Sequence, residues 1–288
     1  MSEATLRPRR SVLYMPAANE RALEKAKTIP ADAIIFDLED AVAPDAKAAA
    51  RDQAVAAVRS GEYGHRELTI RCNALATPWG ADDIAAAGAA GPAAVVIPKV
   101  DSTATLDDVA ARLDAAGATA TTIWAMVETP TAIFDARAIA AHQRVNVLVM
   151  GTNDLAKELR APLLADRWNL IPYLTTALAA AREAGKVVLD GVYNDVRDDE
   201  GFARECRQGV ELGFDGKTLV HPSQVDPANM AWSPTEEEIA RSRRVIEAFE
   251  AGEREGKGVI TVDGKMIEHL HVANARAVLA TADAIARL

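Results

Sequence analysis

The chain has 288 residues, of which 49% are hydrophobic and 5% aromatic, a composition typical of globular proteins. A net charge of −10 argues against nucleic acid as a partner, because phosphate binding requires a positive field. No segment approaches the roughly 18 to 20 continuous apolar residues that span a bilayer, so we expect no membrane partner. The start, MSEATLRPRR, lacks the apolar core of a signal peptide, and we therefore expect a cytoplasmic protein.

Eight short runs rich in valine, isoleucine and leucine predict β-strands. In chain order they are SVLYMP, AIIFDLED, LTIRCN, AVVIPKV, TIWAMVET, VNVLVMGTND, VVLDGVY and FDGKTLVHP. Apolar residues at helical spacing predict helices between them, over 21–27, 47–59, 105–116, 131–142, 171–184 and 199–212. This alternation is typical of parallel strands joined by right-handed crossovers.

Two folds have this alternation, a closed barrel and an open doubly wound sheet. The open sheet usually has a glycine-rich phosphate turn after its first strand, whereas this strand ends in Pro16-Ala17-Ala18-Asn19. We therefore predict the α/β class, as a (β/α)8 TIM barrel over residues 1–230. A C-terminal helical extension follows over residues 231–288, and we expect it to pack on a neighbouring subunit.

Polar residues gather where the predicted strands end, which is where active sites of such barrels lie. Glu128 follows the fifth strand and Asp154 follows the sixth. Two carboxylates at one mouth can chelate a hard divalent cation, so we predict a site for Mg²⁺, with Mn²⁺ as the alternative. In a second interpretation, Glu128 caps a helix and Asp154 turns a loop.

Arg71 ends the third strand and is a candidate for holding a substrate oxygen on which negative charge develops. It could instead form a salt bridge with Asp37 or Glu39. Both interpretations can hold together, because carboxylates that orient an arginine also preorganise it. For Asp37 and Glu39 we favour this supporting role over direct catalysis.

Basic residues cluster near the first two strands, at positions 9, 10, 21, 25, 27, 47 and 51. A polyphosphate ligand would explain such a cluster in an acidic protein, and so would solvated helix faces. Lys47 follows the acidic end of the second strand and is the better candidate for a phosphate contact.

The motifs RRSVLYMPA, IIFDLEDAVAPDAK, IRCNAL, VVIPKV, AMVETP, GTNDLAKEL, GFDGKTLVHPSQ and VDGKMIE follow one another along nearly the whole chain. Together they resemble the citrate lyase β-subunit-like group of the HpcH/HpaI aldolase superfamily. Within it the chain is most similar to the malyl-CoA lyases and the (3S)-malyl-CoA thioesterases. The resemblance implies a magnesium-dependent barrel acting on a CoA thioester, with Glu128 and Asp154 as metal ligands and Arg71 on the thioester oxygen.

The resemblance also implies a CoA site and an assembly. Arg10 and Lys47 are expected to bind CoA, and Asn153 and Pro222 are further candidates for substrate binding. Members of this group form homotrimers, or hexamers built of trimers, in which the C-terminal segment supplies an acidic residue to the next subunit.

The tail departs from the lyase pattern at Glu268, because GKMIEHLH has glutamate where the lyases usually have aspartate. One methylene moves the carboxylate by about 1.5 Å, and displacements of about 1 Å can cost on the order of a hundredfold in rate. We therefore predict that Glu268 of a neighbouring chain activates water against the thioester carbonyl. In the other interpretation, Glu268 forms only an ion pair at the interface.

The predicted activity is hydrolysis of (3S)-malyl-CoA to malate and CoA. The first alternative is reversible cleavage of malyl-CoA or β-methylmalyl-CoA to glyoxylate and an acyl-CoA, which needs the same arginine and metal. A pyruvate-type metal aldolase would share the carboxylates and need no basic cluster. A citrate lyase β-like subunit would work with an acyl carrier protein in a larger complex.

Overall fold

The computed structural model describes residues 6–255 and 259–288. Residues 1–5, on which part of the signal-peptide prediction rests, and residues 256–258 of the predicted extension lie outside the described residues. The chain divides into two compact units, Arg9–Ala231 and Trp232–Leu288, the second together with residues 6–8. No helix within the described ranges is long and apolar enough to cross a membrane.

The first unit is a closed barrel of eight parallel strands. The strands are β1 (Ser11–Pro16), β2 (Ala33–Asp37), β3 (Glu67–Arg71), β4 (Ala94–Ile97), β5 (Thr122–Val127), β6 (Val145–Met150), β7 (Val187–Asp190) and β8 (Gly216–Leu219). Pairing of β8 with β1 closes the barrel. The predicted (β/α)8 fold is therefore confirmed, and the open doubly wound sheet is excluded.

Helices fill the connections between the strands. They are α1 (Glu20–Ala26), α2 (Lys47–Arg59), α3 (Gly80–Ala90), α4 (Thr103–Ala115), α5 (Pro130–Phe134), α6 (Ala136–Ala141), α7 (Thr152–Glu158), α8 (Ile171–Glu183), α9 (Asp199–Leu212) and, after β8, α10 (Val225–Ala231). The helix predicted over 131–142 is divided at Asp135, which ends α5 and begins α6. The sequence does not predict α3, because alanine and glycine give it little hydrophobic periodicity.

Strand periodicity carries the polar residues to the mouth of the barrel. Side chains of a strand alternate between its two faces, so residues two apart point the same way. Ile35 and Met126 lie in the apolar interior, and Asp37 and Glu128 follow them by two positions. The interior cluster consists of Val12, Ala33, Ile35, Ala94, Val96, Trp124, Met126, Val147, Val149 and Leu189.

The second unit contains α11 (Glu236–Arg254), β9 (Ile260–Val262), β10 (Lys265–Ile267) and α12 (His269–Ala286). The VITVDGKMIE segment forms an antiparallel hairpin of β9 and β10. Its turn places Asp263 and Gly264 at φ 51° and 74°, a conformation that glycine and aspartate tolerate better than most residues. Val245, Phe249, Ile267, Val272 and Ala275 form the core of this unit.

Candidate active site

A cavity of about 330 Å³ lies at the carboxyl ends of the barrel strands. The predicted site residues Asp37, Arg71, Glu128, Asn153 and Asp154 all line it. They come from β2, β3 and the segments after β5 and β6. The closed barrel thus brings together side chains that are far apart in the sequence, as the strand-end argument predicts.

Arg71 is held by carboxylates on two sides. Its Nε and Nη2 donate to the two oxygens of Asp37, each at 2.7 Å, and its Nη1 lies 2.6 Å from Glu39 Oε2. Arg71 is 7% exposed and Asp37 is 2% exposed. Burial opposes the charge, but the ion pairs with Asp37 and Glu39 raise the pKa of Arg71 above its ordinary value. The predicted salt bridge is therefore present, and it fixes the guanidinium facing the cavity.

Glu128 is buried at the same mouth. Its Oε1 accepts a hydrogen bond of 2.7 Å from the backbone N–H of Lys99, a residue with a positive φ of 50°. Burial, reinforced by the negative charges of Glu39 and Asp154, raises the pKa of Glu128 to about 7. A desolvated carboxylate near two others is favourable when a cation shares the site.

The backbone leaves room for this carboxylate at Gly151. A Cβ atom on Gly151 would lie 2.3 Å from Glu128 Oε2 and 2.4 Å from Glu128 Cβ. Gly151 has a φ of −95°, so its close approach to Glu128, and not its backbone conformation, requires glycine here.

Neither carboxylate has the purely structural role considered from the sequence. The N-cap of α5 is Thr129, whose hydroxyl accepts from Ala132 N at 3.0 Å, so Glu128 does not cap that helix. Asp154 lies in the first turn of α7 and is half-buried at the cavity wall. Across the two described stretches, no group of three or more histidine, cysteine, aspartate or glutamate side chains is arranged to hold a metal. Glu128 and Asp154 both line the cavity, where their carboxylate oxygens are of the type that hard divalent cations prefer.

Two side-chain amides connect the first turn of α7 to the loop after β7 at the mouth of the barrel. Asn153 Nδ2 donates to Asn194 Oδ1 at 3.1 Å, and Asn194 Nδ2 donates to Asn153 Oδ1 at 2.8 Å. Both residues are exposed and both line the cavity. This reciprocal pair fixes one edge of the opening.

The chain matches the HpcH/HpaI aldolase/citrate lyase family model over residues 10–222. It belongs to this family. It is 49% identical over 279 residues to a (3S)-malyl-CoA thioesterase of Cereibacter sphaeroides, covering 97% of this chain and 96% of that protein. It is 35% identical over 290 residues to the citrate lyase subunit beta of Escherichia coli, covering 98% of this chain and 96% of that protein.

Solved structures agree with the family assignment. CitE of Mycobacterium tuberculosis, in complex with magnesium, acetoacetate and coenzyme A, superposes with a TM-score of 0.78 at 30% identity, over 95% of this chain and 97% of that chain. A citrate lyase of Burkholderia xenovorans superposes with a TM-score of 0.86 at 20% identity, over 100% of this chain and 95% of that chain. The second likeness concerns the fold alone.

Lys47 does not present a free charge in this HpcH/HpaI family site. It is 6% exposed, and its Nζ donates to Leu38 O, Glu39 O and Asn73 Oδ1 at 2.7, 2.7 and 2.8 Å. An ammonium group has three protons, and all three are used within the protein. The phosphate contact expected from the sequence is therefore replaced by a structural role. Lys47 holds the loop that carries Glu39.

Three further predicted residues of the barrel, Arg10, Pro222 and Glu39, do not line the cavity, although Glu39 contacts Arg71. Arg10 precedes β1, at the amino end of the strands and so opposite the mouth, and its side chain pairs with Asp32 at 2.7 Å. Pro222 begins a short 3-10 turn after β8 and does not line the cavity. Glu268 lies in the second unit, where it is the exposed N-cap residue of α12 and its backbone N–H donates to His271 Nδ1 at 3.0 Å.

The cavity also contains Tyr14, which the sequence does not single out. Tyr14 lines the cavity, and its ring centroid lies 4.8 Å from the Cζ of Arg71. The signal that could have identified it is strand alternation, since Tyr14 follows the interior residue Val12 by two positions in β1. An aromatic residue in an apolar run is usually assigned to the core, and Tyr14 therefore attracts no attention in the sequence.

Proposed function

We propose that this chain is a magnesium-dependent enzyme that hydrolyses (3S)-malyl-CoA to malate and CoA. The observation that carries the proposal is one cavity lined by Glu128, Asp154 and Arg71. The 49% identity to a (3S)-malyl-CoA thioesterase supports the substrate. The likeness to a CitE structure in complex with magnesium and coenzyme A supports the cofactor and the CoA moiety. The proposed enzyme is cytoplasmic and forms a homotrimer or a hexamer.

The donor set fits a magnesium ion. Glu128 and Asp154 offer hard carboxylate oxygens. Burial and the charges of Glu39 and Asp154 raise the pKa of Glu128, and a bound cation would offset this cost of its negative charge. Glu128 and Asp154 would hold Mg²⁺, or Mn²⁺ in its place. The bound ion supplies Lewis-acid polarisation of a substrate oxygen and a template that orients the hydroxy acid.

Arg71 faces the oxygen of the thioester carbonyl. Its ion pairs with Asp37 and Glu39 use three of its five N–H donors and leave others for the ligand. Because the guanidinium is fixed before the substrate binds, negative charge on the carbonyl oxygen is stabilised without reorganisation of the arginine.

Glu268 of a neighbouring chain takes a proton from water as that water adds to the thioester carbon. The carbon–sulfur bond then breaks and Glu268 gives this proton to the leaving sulfur, so that malate and the CoA thiol are released. Glutamate in place of aspartate is the sequence feature that supports this role. An exposed side chain is free to serve a site on another copy, and Glu268 is exposed.

Purified protein loaded with Mg²⁺ and incubated with (3S)-malyl-CoA is expected to release free thiol without glyoxylate. Thiol appears because hydrolysis cleaves the carbon–sulfur bond, and glyoxylate is absent because the malyl carbon skeleton stays intact. Free thiol is followed with a thiol reagent, and glyoxylate is trapped as its phenylhydrazone.

Glyoxylate formed together with intact acetyl-CoA would instead establish a lyase, the activity class that the citrate lyase relatives favour. If the purified chain releases neither thiol nor glyoxylate, the proposal is contradicted. The variant Glu268→Asp should raise the ratio of glyoxylate to thiol, and an unchanged ratio would remove Glu268 from the water-activating role.

The variant Gly151→Ala is expected to weaken Mg²⁺ binding at least tenfold. Its Cβ would lie 2.3 Å from Glu128 Oε2, so the carboxylate must move out of place. Mn²⁺ binding followed by electron paramagnetic resonance, with Mg²⁺ as competitor, measures the effect without any substrate.

The matched control is Gly117→Ala. Its Cβ meets nothing within 4 Å, and its φ of 79° imposes only backbone strain, of about 1 kcal/mol, away from the cavity. Metal affinity should survive this change. Equal loss of metal affinity in both variants would mean that lowered stability, and not displacement of Glu128, causes the effect.

A further inference from the structure

Tyr14 lies on the interior face of β1, at the floor of the cavity. In the strand register Tyr14 pairs with Ile35 of β2. Ile35 precedes Asp37 by two residues, and Asp37 pairs with Arg71 of β3. The ring of Tyr14 packs against the apolar barrel core. Tyr14 therefore rests on the apolar core and lines the cavity above it.

The ring of Tyr14 supports Arg71. The guanidinium Cζ lies 4.8 Å from the ring centroid, within the range of a cation–π contact. Asp37 and Glu39 hold the same guanidinium through its N–H groups. Arg71 is thus fixed by two carboxylates and by the ring of Tyr14.

The hydroxyl of Tyr14 has no protein partner in residues 6–255 and 259–288, whereas two other tyrosine hydroxyls do. Tyr63 donates to Leu23 O at 3.0 Å, and Tyr193 donates to Asp198 Oδ2 at 2.6 Å. Tyrosine hydroxyls within a protein usually find a partner. A phenol that lines a cavity without one is therefore available to a ligand.

The carboxylate beside this phenol is already satisfied. Asp37 accepts from Arg71 through both oxygens, from Glu39 N at 2.9 Å and from Ala41 N at 3.2 Å. These four hydrogen bonds use the acceptor sites of a carboxylate. Asp37 therefore does not compete for the Tyr14 proton.

Burial raises the pKa of Tyr14, Arg71 opposes this increase, and the negative charges of Asp37 and Glu128 add to it. A phenol with a raised pKa keeps its proton near neutral pH, so the Tyr14 hydroxyl can donate a hydrogen bond.

We propose that the Tyr14 hydroxyl donates a hydrogen bond to the thioester carbonyl oxygen that Arg71 faces, so that the two residues form a two-donor site for the developing negative charge. This inference rests on the proposed hydrolysis. A neutral donor placed beside a fixed guanidinium adds stabilisation where the charge develops. Because the ring of Tyr14 also supports Arg71, one side chain positions the first donor and supplies the second.

The variant Tyr14→Phe separates these two contributions. Phenylalanine keeps the ring that contacts Arg71 and the barrel core, and it removes only the hydroxyl. We expect kcat for (3S)-malyl-CoA to fall by about a hundredfold, the effect of deleting one such donor. Mn²⁺ affinity and the unfolding midpoint should stay at wild-type values, because neither depends on the hydroxyl.

Tyr173→Phe is the matched control, since Tyr173 lies on α8 and does not line the cavity. It should leave kcat unchanged. If the wild type is active and Tyr14→Phe keeps the wild-type kcat, the assignment of Tyr14 is wrong and the proposed hydrolysis is unaffected. Lowered kcat together with lowered Mn²⁺ affinity would make the hydroxyl a structural group, and this too overturns the assignment. An inactive wild type overturns both proposals.

Discussion

Replacing Arg71 with lysine is expected to lower kcat for (3S)-malyl-CoA by about a hundredfold to a thousandfold, which is the usual cost of losing one donor to a developing oxyanion. Lysine keeps the charge but has no planar fork, so it cannot bind both oxygens of Asp37 while facing Glu39. The measurement is steady-state kinetics at saturating Mg²⁺, with kcat and KM determined separately.

Arg51→Lys is the matched control for this change. Arg51 also forms a short ion pair, its Nε lying 2.7 Å from Asp83 Oδ1, but it does not line the cavity. The control should keep wild-type kcat. If Arg71→Lys raises KM and leaves kcat unchanged, Arg71 stabilises the bound substrate and the transition state equally. The proposed stabilisation of the transition state by Arg71 is then wrong.

Strand-end chemistry could be predicted from the sequence because it depends on periodicity. Each polar residue that follows an apolar run by a fixed offset emerges at the same mouth once the strands are parallel. Arg71 ends β3 and Glu128 directly follows β5, as this rule requires, whereas Asp154 lies beyond β6 in the first turn of α7; all three line the cavity. This rule does not depend on how far apart the residues lie in the sequence, so it holds for residues separated by tens of positions.

Lys47 and Arg10 show where such reasoning stops. The acceptors of Lys47 include Asn73, 26 positions away, and nothing local indicates that its ammonium is enclosed. Arg10 belongs to the basic cluster near the first two strands in the sequence, but it precedes β1, and the two ends of a strand face opposite sides of a barrel. Charge clustering along the chain therefore does not predict clustering in space.

The roles of Tyr14 and Gly151 could not be predicted from the sequence for a different reason. Tyr14 matters because its hydroxyl has no protein partner within the described part of the chain, and Gly151 matters because a Cβ there would collide with Glu128. Both features depend on what surrounds the residue in the folded protein. The sequence gives the residues, but only the packed structure shows which polar groups have no hydrogen-bond partner and which spaces are too small for a side chain.

Lys217 lies at the centre of a buried charge network outside the cavity. Its Nζ donates to Asp190 Oδ2 at 3.1 Å, to Glu205 Oε1 at 2.6 Å and to the carbonyl of Gly191. Arg167 Nη1 completes the network with Asp190 Oδ1 at 2.7 Å. Lys217 and Asp190 are both fully buried, at 0% exposure. The network links β7 and β8 to α9.

Lys217→Met is expected to lower the free energy of unfolding by about 3–5 kcal/mol, because removing one partner of a buried ion pair leaves the other charge uncompensated. Urea unfolding measures this loss. Lys25→Met, at an exposed position of α1, is the control and should stay within about 0.5 kcal/mol of wild type. A loss below about 1 kcal/mol for Lys217→Met would show that Arg167 alone compensates both carboxylates.

The pH dependence of that loss identifies its electrostatic origin. Burial opposes the charge of Asp190, but Lys217 and Arg167 hold the pKa of this carboxyl below its usual range in the folded wild type. Their stabilisation is therefore present above the unfolded pKa and disappears as pH falls through the folded one. Without Lys217 the folded carboxyl protonates more readily. The destabilisation should therefore be largest near neutral pH and shrink in acid, whereas a loss caused only by altered packing would not change with pH.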